Sequence, residues 1–165
     1  MGAAYKEDFS QVTLTTVEMG KVTMGLPAGW KPDPDSVDGE KVVAAFVNDA
    51  IGGYGEVKCY SVLVSFNTMQ IFGQNDGIIA AGADPVHVAG PWALGANKYS
   101  RVFDVYTGTV TRKGQEVQVA SYTGYNINTA LSPCYAAVLV VMPDDKYSGE
   151  FNPVFAAMLD SVVTH

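Results

Sequence analysis

Val22-Thr23-Met24-Gly25-Leu26-Pro27-Ala28-Gly29-Trp30 decides the fold. Its first five residues are mostly apolar or β-branched and read as a strand. Pro27 offers no ladder donor and Gly29 tolerates positive φ, so the strand stops there and Trp30 packs the hairpin end into a core. Upstream, Val12, Leu14, Thr16 and Glu18 alternate with Thr13, Thr15 and Val17, and Met19-Gly20-Lys21 permits a tight turn back. The two runs pair as a hairpin.

Downstream, a loop rich in Pro and Asp runs from Lys31 to Glu40. Apolar runs over Val42–Val47 and Val57–Phe66 read as strands, and Gly52-Gly53-Tyr54-Gly55 breaks the chain between them. Asn67-Thr68 caps a helix opening at Met69, although Gly73 and Gly77 inside it each cost about 1 kcal/mol relative to Ala. Val86–Ala89 is a short strand ended by Gly90-Pro91-Trp92. Three long strands follow at 97–108, 115–127 and 134–142, the first two joined at Arg112-Lys113-Gly114-Gln115. Asn152 as N-cap and Pro153 at the first helical position open a final helix, with Val154, Phe155, Met158, Leu159 and Val162 on one stripe. The pattern is an α+β domain: a mainly antiparallel sheet with a middle helix and a C-terminal helix packed on it. Residues 1–8 are polar and read as a loose tail, and residues 9–165 as one domain without repeats or a linker.

Composition excludes several function classes. Ten basic residues against 17 acidic ones give a formal charge of -7, and the closest basic pair is Arg112-Lys113. Neither nucleic acid nor an anionic membrane surface is an expected partner for so thin a spread of cations. The longest apolar run, Ala136–Met142, is far short of the roughly 18 residues that cross a bilayer. Met1-Gly2-Ala3-Ala4-Tyr5-Lys6 has no apolar core and is not a signal peptide, and Lys6 stands where myristoylation needs Ser or Thr. A removed leader is compatible with that start.

The strand, Pro, small residue, Gly, Trp order of Val22–Trp30 resembles the opening of PsbP-like domains, the photosystem II extrinsic protein and its bacterial lipoprotein relatives. Val86-His87-Val88-Ala89-Gly90-Pro91 followed by Leu94–Val102 is similar to that superfamily's strand, glycine-containing turn and long strand. Met158-Leu159-Asp160-Ser161-Val162 is similar to its closing helix. The resemblance spans roughly residues 10–163. It implies a PsbP-like α/β/α sandwich and a secreted or envelope-anchored bacterial protein, a lipoprotein without its leader. It carries no catalytic residues, and it implies a non-enzymatic binding or scaffold module whose partner is an envelope protein or a small ligand.

Cys59 and Cys134 lie in expected strands 75 positions apart. A bridge between them closes a long loop and stabilises by restricting the unfolded chain. The alternative is two separately buried thiols. A thiol enzyme needs a base beside a cysteine, and His87 is the only histidine away from the C-terminus, so Cys134, His87 and Asp84 form the candidate set. No serine has glycine on both sides, as the hydrolase elbow requires. Neither the Cys nor the His spacing fits a zinc motif, so no metal ligands are assigned. The loop Asp33-Pro34-Asp35-Ser36-Val37-Asp38-Gly39-Glu40 fails the EF-hand register and reads as a solvated acidic loop. The glycines at 52, 53 and 55 lead into a strand, where a phosphate loop leads into a helix, and no cofactor is expected. Asn67-Thr68 and Asn128-Thr129 only approach a glycosylation sequon. Trp92 and Tyr99, at loops, are the candidate recognition aromatics. The Met and aromatic content also admits a carrier of an apolar small ligand.

Overall fold

The structure, a computed structural model, describes residues 2–127, 134–144 and 147–165; the near-sequon at Asn128 lies outside these residues. In chain order its elements are β1 (Ala3–Ala4), β2 (Thr15–Met19), β3 (Val22–Leu26), β4 (Lys31–Pro32), β5 (Val42–Asn48), β6 (Gly53–Ser61), α1 (Phe66–Ala81), β7 (Ala83–Ala93), β8 (Arg101–Arg112), β9 (Gln115–Asn126), β10 (Cys134–Pro143), α2 (Asn152–Ser161) and β11 (Val163–Thr164). One sheet has the order β1-β7-β8-β9-β10-β6-β5-β4, and a second has the order β11-β3-β2. Pairing is antiparallel except for β1 on β7. The α+β class expected from the strand pattern is observed.

Helix α1 leaves β6 and crosses the sheet to β7, lying over β8, β9 and β10. Helix α2 and the small sheet cover the other face. Side chains alternate between the two layers: Tyr122 of β9 meets Phe151 and Phe155, while Thr123 meets α1. In β10, Ala136, Val138 and Val140 join the α2-side core, while Leu139 and Val141 join a cluster beneath Ala80 of α1. Burial on both faces is the physical reason that Ala136–Met142 runs apolar without alternation.

Several boundaries differ from expectation. The turn before β6 falls at residues 49–52, and Gly53 and Gly55 belong to the strand. A Cβ on Gly55 would meet Phe46 Cε2 at 2.2 Å, so the glycine makes room for a core ring rather than for a turn. The helix expected to open at Met69 begins at Phe66. Its cap is Ser65, whose Oγ accepts the Thr68 N–H at 3.2 Å. The short strand expected at 86–89 extends over Ala83–Ala93, because bulges let the edge strand carry Gly90 and Pro91. The turn at 113–114 matches expectation, with Lys113 at φ 50° and Gly114 at φ 76°, the two positive angles of a two-residue hairpin.

Within residues 1–8, read from sequence as a loose tail, Ala3 and Ala4 pair with Trp92 and Ala93. Tyr5 rests its ring 5.1 Å from Trp92 and 5.3 Å from Phe103. An aromatic anchor and two ladder positions hold this segment to the edge of β7.

Candidate functional site

Helix α1 is built inside out. Its buried positions are Met69, Gly73, Gly77 and Ala81, spaced four apart along one stripe. A Cβ on Gly77 would come within 2.6 Å of Thr123 Cγ2 and 3.0 Å of Tyr106 Cδ2. At Gly73 the backbone carbonyl accepts a hydrogen bond from Thr123 Oγ1 at 2.6 Å. Glycine here brings the helix backbone down onto β9. The two residues that sequence propensity counts against the helix are the ones that dock it.

Apart from Met69, the large apolar side chains of α1 then have only the outward arc. Ile71 is 54% and Ile79 77% exposed, and Phe72 and Ile78 are exposed beside them. Leu63, in the turn before the helix, is 92% exposed, with Val62 next to it. Asp76 is the one charged residue in α1, and its carboxylate pairs with Lys58 Nζ at 3.1 Å across the helix flank. Although burial works against its charge, Asp76 holds the Lys58 ammonium above its ordinary pKa. The outward arc is therefore apolar or amide, with Asn67 and Asn75 as its polar members. Its borders are fixed by two stacked aromatic pairs, Phe72 on Tyr60 at 5.1 Å and Phe66 on Tyr99 at 5.6 Å. Contiguous apolar surface of this kind marks an interaction site more often than scattered exposed residues do.

Beneath α1 lies a second polar group. Asp104 is buried, and its Oδ1 accepts from His87 Nε2 at 2.8 Å. Gln74 of α1 reaches its other oxygen at 3.5 Å. Burial raises the Asp104 carboxyl above the ordinary range, against the lowering influence of His87 and Gln74. Burial chiefly raises Tyr106 as well, with its hydroxyl pushed up to about 12, and its ring lies 4.9 Å from His87.

The residues singled out from sequence distribute as follows. Cys59 and Cys134 are joined in a disulfide, with a Cα–Cα distance of 5.4 Å, on neighbouring strands where Cys59 faces Ala136 and Cys134 faces Ser61. The thiol set of Cys134, His87 and Asp84 is not assembled. Its cysteine is bridged, and the carboxylate on His87 belongs to Asp104 rather than Asp84. Strand pairing explains the substitution: Asp104 sits on the sheet face that His87 crosses to, while Asp84 stands at the start of β7 with φ 53°, where the register is irregular. Trp92 is half-buried between Tyr5 and Phe103. Tyr99 lies on Phe66 at the border of the α1 surface. Met19, Met24, Met69 and Met158, part of the case for a ligand carrier, are buried in the core. No three His, Cys, Asp or Glu side chains gather as metal ligands among the described residues. Among the same residues, no helix is long and apolar enough to cross a membrane. The α1 surface is not among the features legible in the sequence. The signal available was a helix whose four-residue stripe runs from Met69 through Gly73 and Gly77 to Ala81, mostly glycine and alanine.

No family model matches the chain, and no curated protein does. Among solved structures the chain is similar to the Saccharomyces cerevisiae Ran-binding protein Mog1p, with a TM-score of 0.64 at 10% identity, covering 93% of this chain and 96% of that one. A Mog1 point mutant gives a TM-score of 0.60 at 11% identity with the same coverage, 93% and 96%. LpqN, described as involved in cell envelope biogenesis of Mycobacterium tuberculosis, is matched at a TM-score of 0.48 and 12% identity, over 94% of this chain and 93% of that one. The architecture is thus the Mog1/PsbP-like fold. Likeness at this identity speaks to the fold alone.

Proposed function

We propose that the protein is a non-enzymatic binding module that engages a protein partner through the outward face of α1. The observation that carries this reading is the inverted helix: its small residues are spent on docking to β9, and Ile71, Phe72, Ile78 and Ile79 are left in solvent with no charge among them. Leaving that much apolar surface wet opposes folding and solubility, and a partner that covers it recovers the hydrophobic term at about 25 cal/mol per Å². Tyr99, stacked on Phe66, extends the same surface. Mog1p, with the same architecture, is a Ran-binding protein, which supports a protein partner as the kind of ligand this fold takes.

The Cys59–Cys134 bridge supports an extracytoplasmic location, since such bonds persist in oxidising compartments. We place the module in the bacterial cell envelope, held there by a leader or lipid anchor of its precursor.

The test is site-directed photo-crosslinking in producing cells, with a benzophenone residue at position 79 and, as a control on the opposite sheet face, at position 111. The expected result is a discrete covalent adduct at 79, absent at 111 and lost when Ile71→Asp is added. Equal labelling at both positions, or none at 79, overturns the reading.

A further inference from the structure

The exposed positions of α1 have an order of their own. Between Met69 and Ala81 they are Ile71, Phe72, Asn75, Ile78 and Ile79, and every other position there is buried or half-buried. The four apolar ones stand three and four residues to either side of Asn75, so the arc reads alike in both directions along the helix. Residues three and four apart share a helix face, which makes Asn75 the middle of a continuous apolar strip. The strip carries no charge, and Asp76 beside it is paired with Lys58 Nζ at 3.1 Å. At about 200 Å² for a fully exposed large side chain, the exposed fractions of the strip, its aromatic borders and the turn at Val62-Leu63 amount to roughly 800 Å². Each partner in a standard protein–protein interface buries that much.

We infer that the partner of the α1 face is a second copy of this chain, docked helix to helix about a twofold axis beside Asn75. The inference rests on the reading of α1 as a binding face and names its occupant. In a twofold contact, residue i meets residue j of the other copy and j meets i in return. With the helices antiparallel, Ile71 of one copy faces Ile79 of the other, Phe72 faces Ile78, and the two Asn75 side chains face each other. Every apolar group then meets an apolar group. An amide both donates and accepts, so the Asn75 pair satisfies itself, and a single polar residue in an apolar seam fixes its register. Antiparallel order also sets the N-terminal end of each helix dipole beside the C-terminal end of the other. Charge favours a like partner too. A twofold contact brings central charges against their own copies, and a chain of net charge -7 escapes that repulsion only across an uncharged face. A strongly charged partner would find no counter-charge on the strip.

The experiment is sedimentation equilibrium of the whole purified protein from micromolar to near-millimolar concentration. The expected result is a monomer–dimer equilibrium that added salt does not weaken, because the contact is apolar and the two bodies repel. Asn75→Asp exchanges one nitrogen for oxygen on an exposed side chain and sets two carboxylates face to face. It should weaken dimerisation at least tenfold at neutral pH. Ile71→Lys and Ile79→Glu should each weaken it alone, and an equal mixture of the two should recover a mixed dimer. Circular dichroism of each variant at monomeric concentration checks that the fold is kept. A monomer at every concentration overturns the inference. Photo-crosslinking at position 79 then separates the two readings: an adduct of a mass other than two chains keeps α1 as a face for an unlike partner, and no adduct removes both. A dimer unmoved by Asn75→Asp and Ile71→Lys also overturns the inference, since the contact then lies elsewhere. So does recovery by mixing Ile71→Lys with Ile71→Glu but not with Ile79→Glu, which makes the helices parallel.

Discussion

Thr123 in the middle of β9 donates through Oγ1 to the Gly73 carbonyl, while its Cγ2 methyl fills the space that a side chain on Gly77 would need. One threonine thus sets both the height and the orientation of α1. Replacing Gly77 by Ala gains about 1 kcal/mol of helix propensity, yet it forces a Cβ into the 2.6 Å gap. Overpacking of that kind costs about 1–3 kcal/mol, so Gly77→Ala should lower stability by about 1 kcal/mol. Urea midpoints check this, and Thr123→Ser provides the control. With the methyl gone and the hydroxyl kept, Gly77→Ala should become neutral or stabilising.

The buried Asp104 gives a pH dependence with a definite sign. Its carboxyl is raised in the folded state, chiefly by burial. The folded protein therefore holds this proton at pH values where the unfolded chain has lost it. Stability from this group is present at low pH and declines as pH rises through the folded pKa. Asp104→Asn keeps an oxygen for His87 Nε2 and removes the ionisation, so it should flatten that decline. Thermal midpoints of both proteins measured from acid to neutral pH test the sign. A wild-type midpoint that rises over that range by the same amount in both would refute it.

Serine at both Cys59 and Cys134 should lower stability by about 4.5 kcal/mol, the chain-entropy value for a loop of this length. The far-UV circular dichroism should persist, because the cores on both faces of the sheet do not depend on the bond. Denaturation of the double variant beside wild type, with and without reductant, provides the measurement. Reductant should bring wild type to the variant's midpoint and leave the variant unmoved.

Ser65→Ala removes the one side-chain cap of α1 and should cost about 1 kcal/mol. Hydrogen exchange localises the effect: amides in the first turn of α1 should lose protection while those of β9 keep theirs. Uniform loss across both would show instead that the helix start is part of the global unfolding unit.

The strand order of hydropathy, the hairpin turn at Lys113-Gly114 and the proline-opened final helix were legible because each rests on local chemistry. A two-residue turn with glycine second, or a Pro near the start of α2, needs no tertiary information, although the helix is capped at Phe151, one residue before the Asn152 expected from sequence. The inversion of α1 was not legible. Gly73 and Gly77 are penalties in isolation, and they become assets only when Thr123, some 50 residues later in the chain, lies beneath them. The same holds for His87, whose carboxylate partner is set by strand pairing rather than by sequence neighbours. Gly55 reads as a turn residue because composition shows that glycine frees the backbone but cannot show which ring, here Phe46, needs the space.

The bridge closes a covalent ring that contains α1 and the strands from β7 to β9. Leu63, the most exposed large apolar residue among the described residues, stands inside that ring at the turn between β6 and α1. A protease that cuts there leaves both pieces on one molecule, heavier by a single water and unaltered in size on a non-reducing gel. Preparations of this protein can thus carry a severed backbone at the mouth of the α1 surface while passing as intact, until a reductant separates the halves.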